Sequence, residues 1–276
     1  MTTILAVVSD THINSTVGLS VPMCNLDDGG TYHASKAQRW LWHNWLDFWE
    51  TVTDCVTKHT KGKDKPNVWT VFNGDLIEGD GKNRSHQLVT HNDTTAMRVA
   101  LDTIEPALKI SSRTFVIRGT AAHVGLSANL EEKIAIDIGA ERCKDTDAYS
   151  WWKLLLDCEE VLFDITHHGN VGRLPWTKPN PLNALAVRLI LSYTNQRLPQ
   201  VALRSHRHLY AETGSNYPIR VIALPAWQLA TEYTHRLAIV EPADVGGLVF
   251  ICHQGEYELI VKRYQPEKSK TWKETK

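Results

Sequence analysis

Val68-Trp69-Thr70-Val71-Phe72-Asn73-Gly74-Asp75 is the stretch on which the reading of this chain turns. An apolar run rich in β-branched and aromatic residues follows the turn Lys65-Pro66-Asn67 and ends in Gly-Asp. That pattern predicts a buried strand entered from a turn. A carboxylate at the exit of such a strand is held by a rigid element. Asp after Gly is by itself ordinary turn chemistry, so the reading depends on other strands that end alike.

Four such strands are present. Ile4-Leu5-Ala6-Val7-Val8 is continuously apolar, as expected of a strand covered on both faces, and runs into Ser9-Asp10-Thr11-His12. Thr114-Phe115-Val116-Ile117 leads to Arg118-Gly119-Thr120-Ala121-Ala122-His123. Residues 151–156 and 161–166 predict two antiparallel strands joined by Asp157-Cys158-Glu159-Glu160, the second leading to His167-His168-Gly169. Val201-Ala202-Leu203-Arg204 leads to Ser205-His206-Arg207-His208.

Helices separate these strands. Apolar residues at 37, 40, 41, 45, 48, 49, 52 and 56 predict an amphipathic helix over 34–58, with Trp40, Trp45 and Trp49 on its core stripe. A second helix is expected over 94–109. Asn129 with Glu132 reads as a capping box for a third that runs to Ile138 and stops at Gly139. Asn180-Pro181 reads as N-cap and first-turn proline of a fourth, whose stripe is Leu182, Leu185, Ala186, Leu189, Ile190 and Tyr193. Residues 14–32 and 78–84 read as loops. After Tyr217 come strand-like runs at 220–224, 247–253 and 257–261. The class is α/β, with one domain over 1–264 and a polar, lysine-rich tail over 265–276.

With 276 residues the chain can bury a sizeable core, and a formal net charge of -1 gives no global attraction to nucleic acid or anionic membrane. No apolar run reaches the roughly 18 residues of a membrane-spanning helix, and the first residues lack the basic region of a signal peptide. The five cysteines form no Cys-x-x-Cys pair, which suits a reducing cytoplasm. Histidine is more telling, at 13.

Five strand ends thus deliver Asp10 with His12, Asp75, His123, His167 or His168, and His206 with His208. Residues two apart on an extended chain face the same side, so Asp-x-His and His-x-His can each turn toward one ion. Carboxylates mixed with imidazoles suit zinc, manganese or iron. There are too many of them for one tetrahedral ion; they fit two ions sharing a carboxylate, for which Asp75 is the candidate.

The ordered set Asp10-x-His12, Gly74-Asp75, Gly119 followed by His123, His167 or His168, and His206-x-His208 resembles the calcineurin-like metallophosphoesterase superfamily over residues 4–210. The resemblance implies a two-sheet β-sandwich flanked by helices, with the strands after Tyr210 in its second sheet. It implies that Asp10, His12 and His208 hold one divalent ion, that Asp75 bridges, and that His167 and His206 hold the other, with manganese favoured. His168 is the alternative to His167, which is preferred because it directly follows the predicted strand. The superfamily's Gly-Asn-His is here Gly119-Thr120-Ala121-Ala122-His123, a variant similar to phage members. His123 is then either a displaced general acid or a replacement metal ligand, and the acid is favoured. Arg118 and Arg173 are candidates for phosphate, Arg118 reading equally well as a surface residue. The implied activity is metal-dependent phosphoester hydrolysis by a hydroxide made on the two ions. The expected substrate is a phosphodiester, nucleic acid and nucleotides included; the alternatives are a phosphomonoester or phosphoprotein, and a metal-binding scaffold without turnover.

Overall fold

β1 (Thr2–Val8) is buried on both faces from Ile4 onward, as its unbroken apolar run predicts. The computed structural model describes residues 1–79, 87–237 and 242–266. Asp80 to Arg84 of the expected polar loop, and the tail from Glu267, lie outside the described residues. After β1 the chain forms β2 (Met23–Asn25), β3 (Thr31–His33), α1 (Lys36–His59), β4 (Asn67–Asn73), α2 (Asp93–Ile110), β5 (Arg113–Ile117), α3 (Ala121–Val124) and α4 (Asn129–Asp137). It continues through β6 (Ser150–Trp151), β7 (Leu154–Cys158), β8 (Val161–His168), α5 (Asn180–Ser192), β9 (Val201–Ser205), β10 (Ala211–Glu212) and β11 (Arg220–Ala223). α6 (Glu232–Arg236), β12 (Val245–His253) and β13 (Glu256–Tyr264) complete it.

Two sheets stack. The first has the order β13-β12-β1-β4-β5-β6, with β1, β4, β5 and β6 parallel and β12 antiparallel to β1. The second has the order β10-β11-β9-β8-β7, with β8, β9 and β11 parallel. Three apolar clusters fill the spaces between layers. Leu5, Val7, Val71, Phe115, Phe163, Leu203, Ile222 and Phe250 pack between the sheets. Ile4, Ala6 and Val8 on the opposite face of β1 pack with Leu41, Trp45 and Trp49 of α1 and with Val99 and Ile104 of α2. Leu182 and Ala186 of α5 cover Ala202, Val221 and Ala223 on the far side. The chain is therefore an α/β two-sheet sandwich with helices on both outer faces.

Several expectations need correction. The run 151–156 is two strands: β6 pairs with β5 in the first sheet and β7 with β8 in the second, and the exposed Trp152 marks the crossing. The closing strands divide. β10 and β11 join the second sheet, but β12 and β13 extend the first through β1. An antiparallel ribbon carries no sequence mark of which sheet edge it will join. β8 runs on through His168, so His167 lies on the strand and does not follow it. Asn129 does not cap α4: it is the first residue of that helix, Ala128 precedes it in left-handed backbone, and Glu132 accepts instead from the N–H groups of Tyr149 and Ser150. Asn180 is likewise inside α5, whose N-cap is Pro179. A capping box does exist at Ser35 and Gln38, opening α1. Trp45 and Trp49 are buried as expected, while Trp40 is half-buried and Ala37 exposed. The loop over 14–32 contains the hairpin of β2 and β3.

Candidate metal centre

The C-terminal ends of parallel strands β1, β4, β5, β8 and β9 open on one side of the sandwich, where sites form in open α/β sheets. The loops leaving β1 and β4 run side by side: Asp10 N–H donates to Gly74 O, His12 N–H to Asp75 O and Ile13 N–H to Leu76 O, each at 3.0 Å. Asp10, His12, Asp75, His206 and His208 all have positive φ, of 51°, 42°, 52°, 75° and 53°. Non-glycine residues are strained in this region, and such strain gathers at functional sites. The pairs Asp10-x-His12 and His206-x-His208 thus converge through left-handed turns. The extended alternation expected from sequence is not how they meet.

Glycines make the room. Gly74 has φ +83°, and a Cβ there would lie 2.4 Å from His167 Nδ1. A Cβ on Gly119 would lie 2.2 Å from both N and Oδ1 of Asp75. The two positions exclude any side chain, so the Asp75 carboxylate and the His167 ring can approach.

The side chains meet as follows. Asp10 Oδ1 lies 3.2 Å from His208 Nε2 and 3.9 Å from His12 Nε2. His12 Nε2 and His208 Nε2 are 3.3 Å apart. Asp75 Oδ2 lies 3.0 Å from His167 Nε2 and 3.9 Å from His206 Nδ1. Asp75 Oδ1 accepts from Thr120 N–H at 2.6 Å. Asp10, Asp75 and His167 offer ligand atoms within 4.8 Å of one another, and so do Asp10, His12 and His208. His168, exposed, joins His167 and His206 in a third such group. Both histidines of the pair, not one of them, therefore reach the cluster.

Two histidines have their far nitrogen engaged. His167 Nδ1 donates to Asn73 O at 2.7 Å, and His12 Nδ1 donates to Glu78 Oε2 at 2.6 Å. Each bond holds the ring with Nε2 turned toward the cluster, so that loss of the Nε2 proton would present a lone pair there, an arrangement usual for metal-binding histidine. Asp10 Oδ1 is buried without a hydrogen-bond partner. An orphaned carboxylate oxygen among converging ring nitrogens fits a divalent cation, and the mixed N and O donor set suits zinc, iron or manganese.

The charges agree with this. Burial opposes ionisation of Asp10, but His208 and His167 outweigh it and bring the carboxyl down to about 2. Asp75 is likewise held well below the usual carboxylate range against burial, chiefly by His167. Burial disfavours the charged form of His167, yet Asp75 and Asp10 raise it to about 10. Burial lowers His168, with His167 and His206 adding to the effect. The two carboxylates draw positive charge to one point.

His123 enters through a residue the sequence did not single out. Glu78 accepts from His123 Nδ1 at 2.8 Å with the oxygen not used by His12. The His12 and His123 rings pack edge to face, 4.7 Å between centroids. Burial works against a charged His123, but Glu78 raises it to about 9. Glu78 stands three residues after Asp75, and that acidic residue close behind the strand exit was the available signal. Glu131 was also missed. Its carboxylate accepts from Leu76 N–H at 3.0 Å and Gly119 N–H at 2.6 Å, tying together the loops that flank Asp75. Burial, with Asp75 adding, pushes it up to about 7. Nothing in a helical Glu-Glu pair announces a buried role. Arg118 Nε donates to Ser150 Oγ at 2.8 Å, and its guanidinium lies 5.1 Å from the Trp152 ring centre. Arg173 is exposed in the loop after His168.

Among the described residues no helix is long and apolar enough to cross a membrane. No family model matches the chain, and no curated protein matches it significantly. Solved structures similar to it include vacuolar protein sorting 29 from Cryptosporidium parvum, at 11% identity, 96% of this chain and 99% of that one, TM-score 0.42. A dimetal phosphatase from Danio rerio is similar at 11% identity, 95% of this chain and 96% of that one, TM-score 0.46. A protein serine/threonine phosphatase from Saccharomyces cerevisiae is similar at 10% identity, 97% and 81% coverage, TM-score 0.34. Likenesses of this degree carry no argument about the present chain, whose architecture and site stand on strand order and side-chain distances.

Proposed function

We propose that the chain is a metal-dependent phosphoric ester hydrolase of the calcineurin-like metallophosphoesterase type, with two divalent ions. The observation that carries this reading is the pair of oriented rings, His12 and His167, each tied through Nδ1 with its Nε2 facing Asp10 or Asp75. Asp10, His12 and His208 would hold one ion, His167 and His206 the other, and Asp75 would be shared. Of manganese, iron and zinc, manganese is favoured where carboxylates share the shell. When bound, two such ions supply Lewis acidity toward phosphoryl oxygens and acidify a water.

The chain's own residues do the rest. His123 has Nδ1 committed to Glu78, so the proton it can deliver to a leaving oxygen sits on Nε2. The neighbouring Glu78 carboxylate keeps that proton in place near neutral pH. Arg173 and Arg118 are proposed to meet remaining phosphate charge through paired N–H groups. A phosphodiester is the preferred substrate, on the similarity of Gly119-Thr120-x-x-His123 to phage members; nucleic acid and nucleotides fall in that class. The test is turnover of bis(p-nitrophenyl) phosphate against p-nitrophenyl phosphate, after chelation and after manganese is restored. Activity lost and regained is expected. Activity indifferent to the chelator overturns the reading, and faster monoester turnover reverses the choice of substrate.

A further inference from the structure

His167 and His168 are consecutive residues of β8, and consecutive strand side chains face opposite sides. Their burial follows that rule, His167 being buried and His168 exposed. Their ring nitrogens do not. His167 Nε2 lies 3.5 Å and His168 Nε2 3.4 Å from the same atom, Thr120 Oγ1. His206 Nδ1 lies 3.1 Å from it as well. The cause is local: the pairing of β8 with β9 shifts register between Ile165 and His168. An irregularity of that kind kinks a strand and re-aims its side chains. Ring centroids of the three histidines are 5.0, 5.5 and 5.2 Å apart.

We infer that His167, His168 and His206 together form a three-imidazole pocket, with His168 as a direct ligand on its solvent side, and that this pocket selects zinc, cobalt or iron(II) over manganese and magnesium. The inference rests on the two-ion reading and adds to it a difference between the two ion positions. The position at Asp10, His12 and His208 mixes oxygen with nitrogen. The position at the three histidines offers nitrogen from three rings, with the Asp75 carboxylate beyond His167. Imidazole favours the later, softer divalent ions, whereas manganese and magnesium prefer oxygen. Thr120 contributes a neutral hydroxyl within 3.5 Å of all three nitrogens and its N–H to Asp75, which orients the pocket and adds no charge.

The test uses the full chain, stripped with a chelator and titrated with cobalt(II). Visible absorption reports the coordination, elemental analysis the stoichiometry, and zinc is then set against excess manganese. The wild type is expected to take two ions and to keep one zinc against manganese. His168→Ala, and His168→Gln, which keeps bulk and polarity, are expected to weaken that ion by at least about tenfold, the lower bound for losing even an outer partner of a metal ligand. Because His168 is exposed, the metal-free melting temperature should stay where it is. Variants that keep both ions at wild-type affinity, or a wild type that gives up both zinc ions to manganese, overturn the three-histidine pocket and leave the two-ion reading standing. A wild type that binds fewer than two ions overturns the reading beneath it.

Discussion

Nε2 of His167 lies 3.0 Å from Oδ2 of Asp75, a contact between a strand of one sheet and the loop that leaves a strand of the other. Asp75 leaves β4 in the six-stranded sheet, and His167 lies on β8 in the five-stranded one. Both are buried. The pair joins the halves of the sandwich at the edge where the parallel strands end. Asp75→Asn removes the charge proposed to be common to both ion positions while keeping an oxygen for Thr120 N–H. Metal content is expected to fall below one ion per chain and hydrolysis to fall to the level of the chelated wild type. Elemental analysis beside a turnover assay checks both, and an Asn variant that retains two ions and full turnover rules out the shared carboxylate.

Gly74 and Gly29 allow a matched comparison. Both have left-handed backbone, at φ +83° and +84°, but a Cβ on Gly29 meets nothing within 4 Å, whereas one on Gly74 meets the His167 ring. Gly29→Ala is expected to cost about 1 kcal/mol, the conformational term alone. Gly74→Ala adds a clash in a buried region and is expected to cost about 3 kcal/mol or more, with weaker metal binding. Urea unfolding of the metal-free proteins measures the difference. Equal losses would show that the glycine of Gly-Asp serves the turn and not the approach of His167.

Much of this site was legible because buried parallel strands write themselves as short apolar runs, and the reactive residues stand at their exits. Asp10, Asp75, His167 and His206 could be placed near one another on that basis. How they meet was not legible. Alternation along an extended chain was the reading for Asp10 and His12, while the backbone uses positive φ at both, sustained by tertiary bonds such as His12 N–H to Asp75 O. Glu78 and Glu131 escaped notice because their partners lie 45 and 12 residues or more away in sequence, at His123 and Gly119. Local patterns also misled where two sites share one signature. Asn129 and Glu132 have the spacing of a cap, but Ser150 and Tyr149 claim the Glu132 carboxylate, whereas Ser35 with Gln38 makes the reciprocal bonds.

Glu78 sets the proton affinity of His123. Its own carboxyl, despite burial, is held down to about 2 by His12 and His123, so it is charged throughout the working range. His123 is raised to about 9. A general acid must carry its proton, so kcat/KM is expected to decline as pH rises through that value. Glu78→Gln removes the charge that raises it, and the alkaline limb should move to lower pH. His123→Ala should abolish the limb and lower the rate by about 10²–10⁴-fold for a substrate with a poor leaving group, with little loss for a nitrophenyl ester. An alkaline limb unmoved in Glu78→Gln would show that His123 is not the acid.

Asp164 tests the scaffold apart from the chemistry. It is fully buried on β8, and its oxygens face Arg204 Nη2 at 2.7 Å, Lys153 Nζ at 2.9 Å and the Tyr193 hydroxyl at 2.9 Å. Burial pushes its carboxyl up, but Arg204 and then Lys153 prevail and hold it below the ordinary value. A carboxyl depressed in the folded state binds its proton more readily when unfolded. The stability it contributes is therefore complete above the unfolded pKa, near 3.9, and disappears as pH falls through the lower folded value. Asp164→Asn leaves Arg204 buried without its counter-charge and is expected to cost about 3–5 kcal/mol at pH 7. The deficit relative to wild type should shrink as acid protonates the native carboxyl. Denaturant unfolding at pH 7 and at successively lower pH measures it, and a deficit that stays constant into acid would mean that shape at this position matters more than charge.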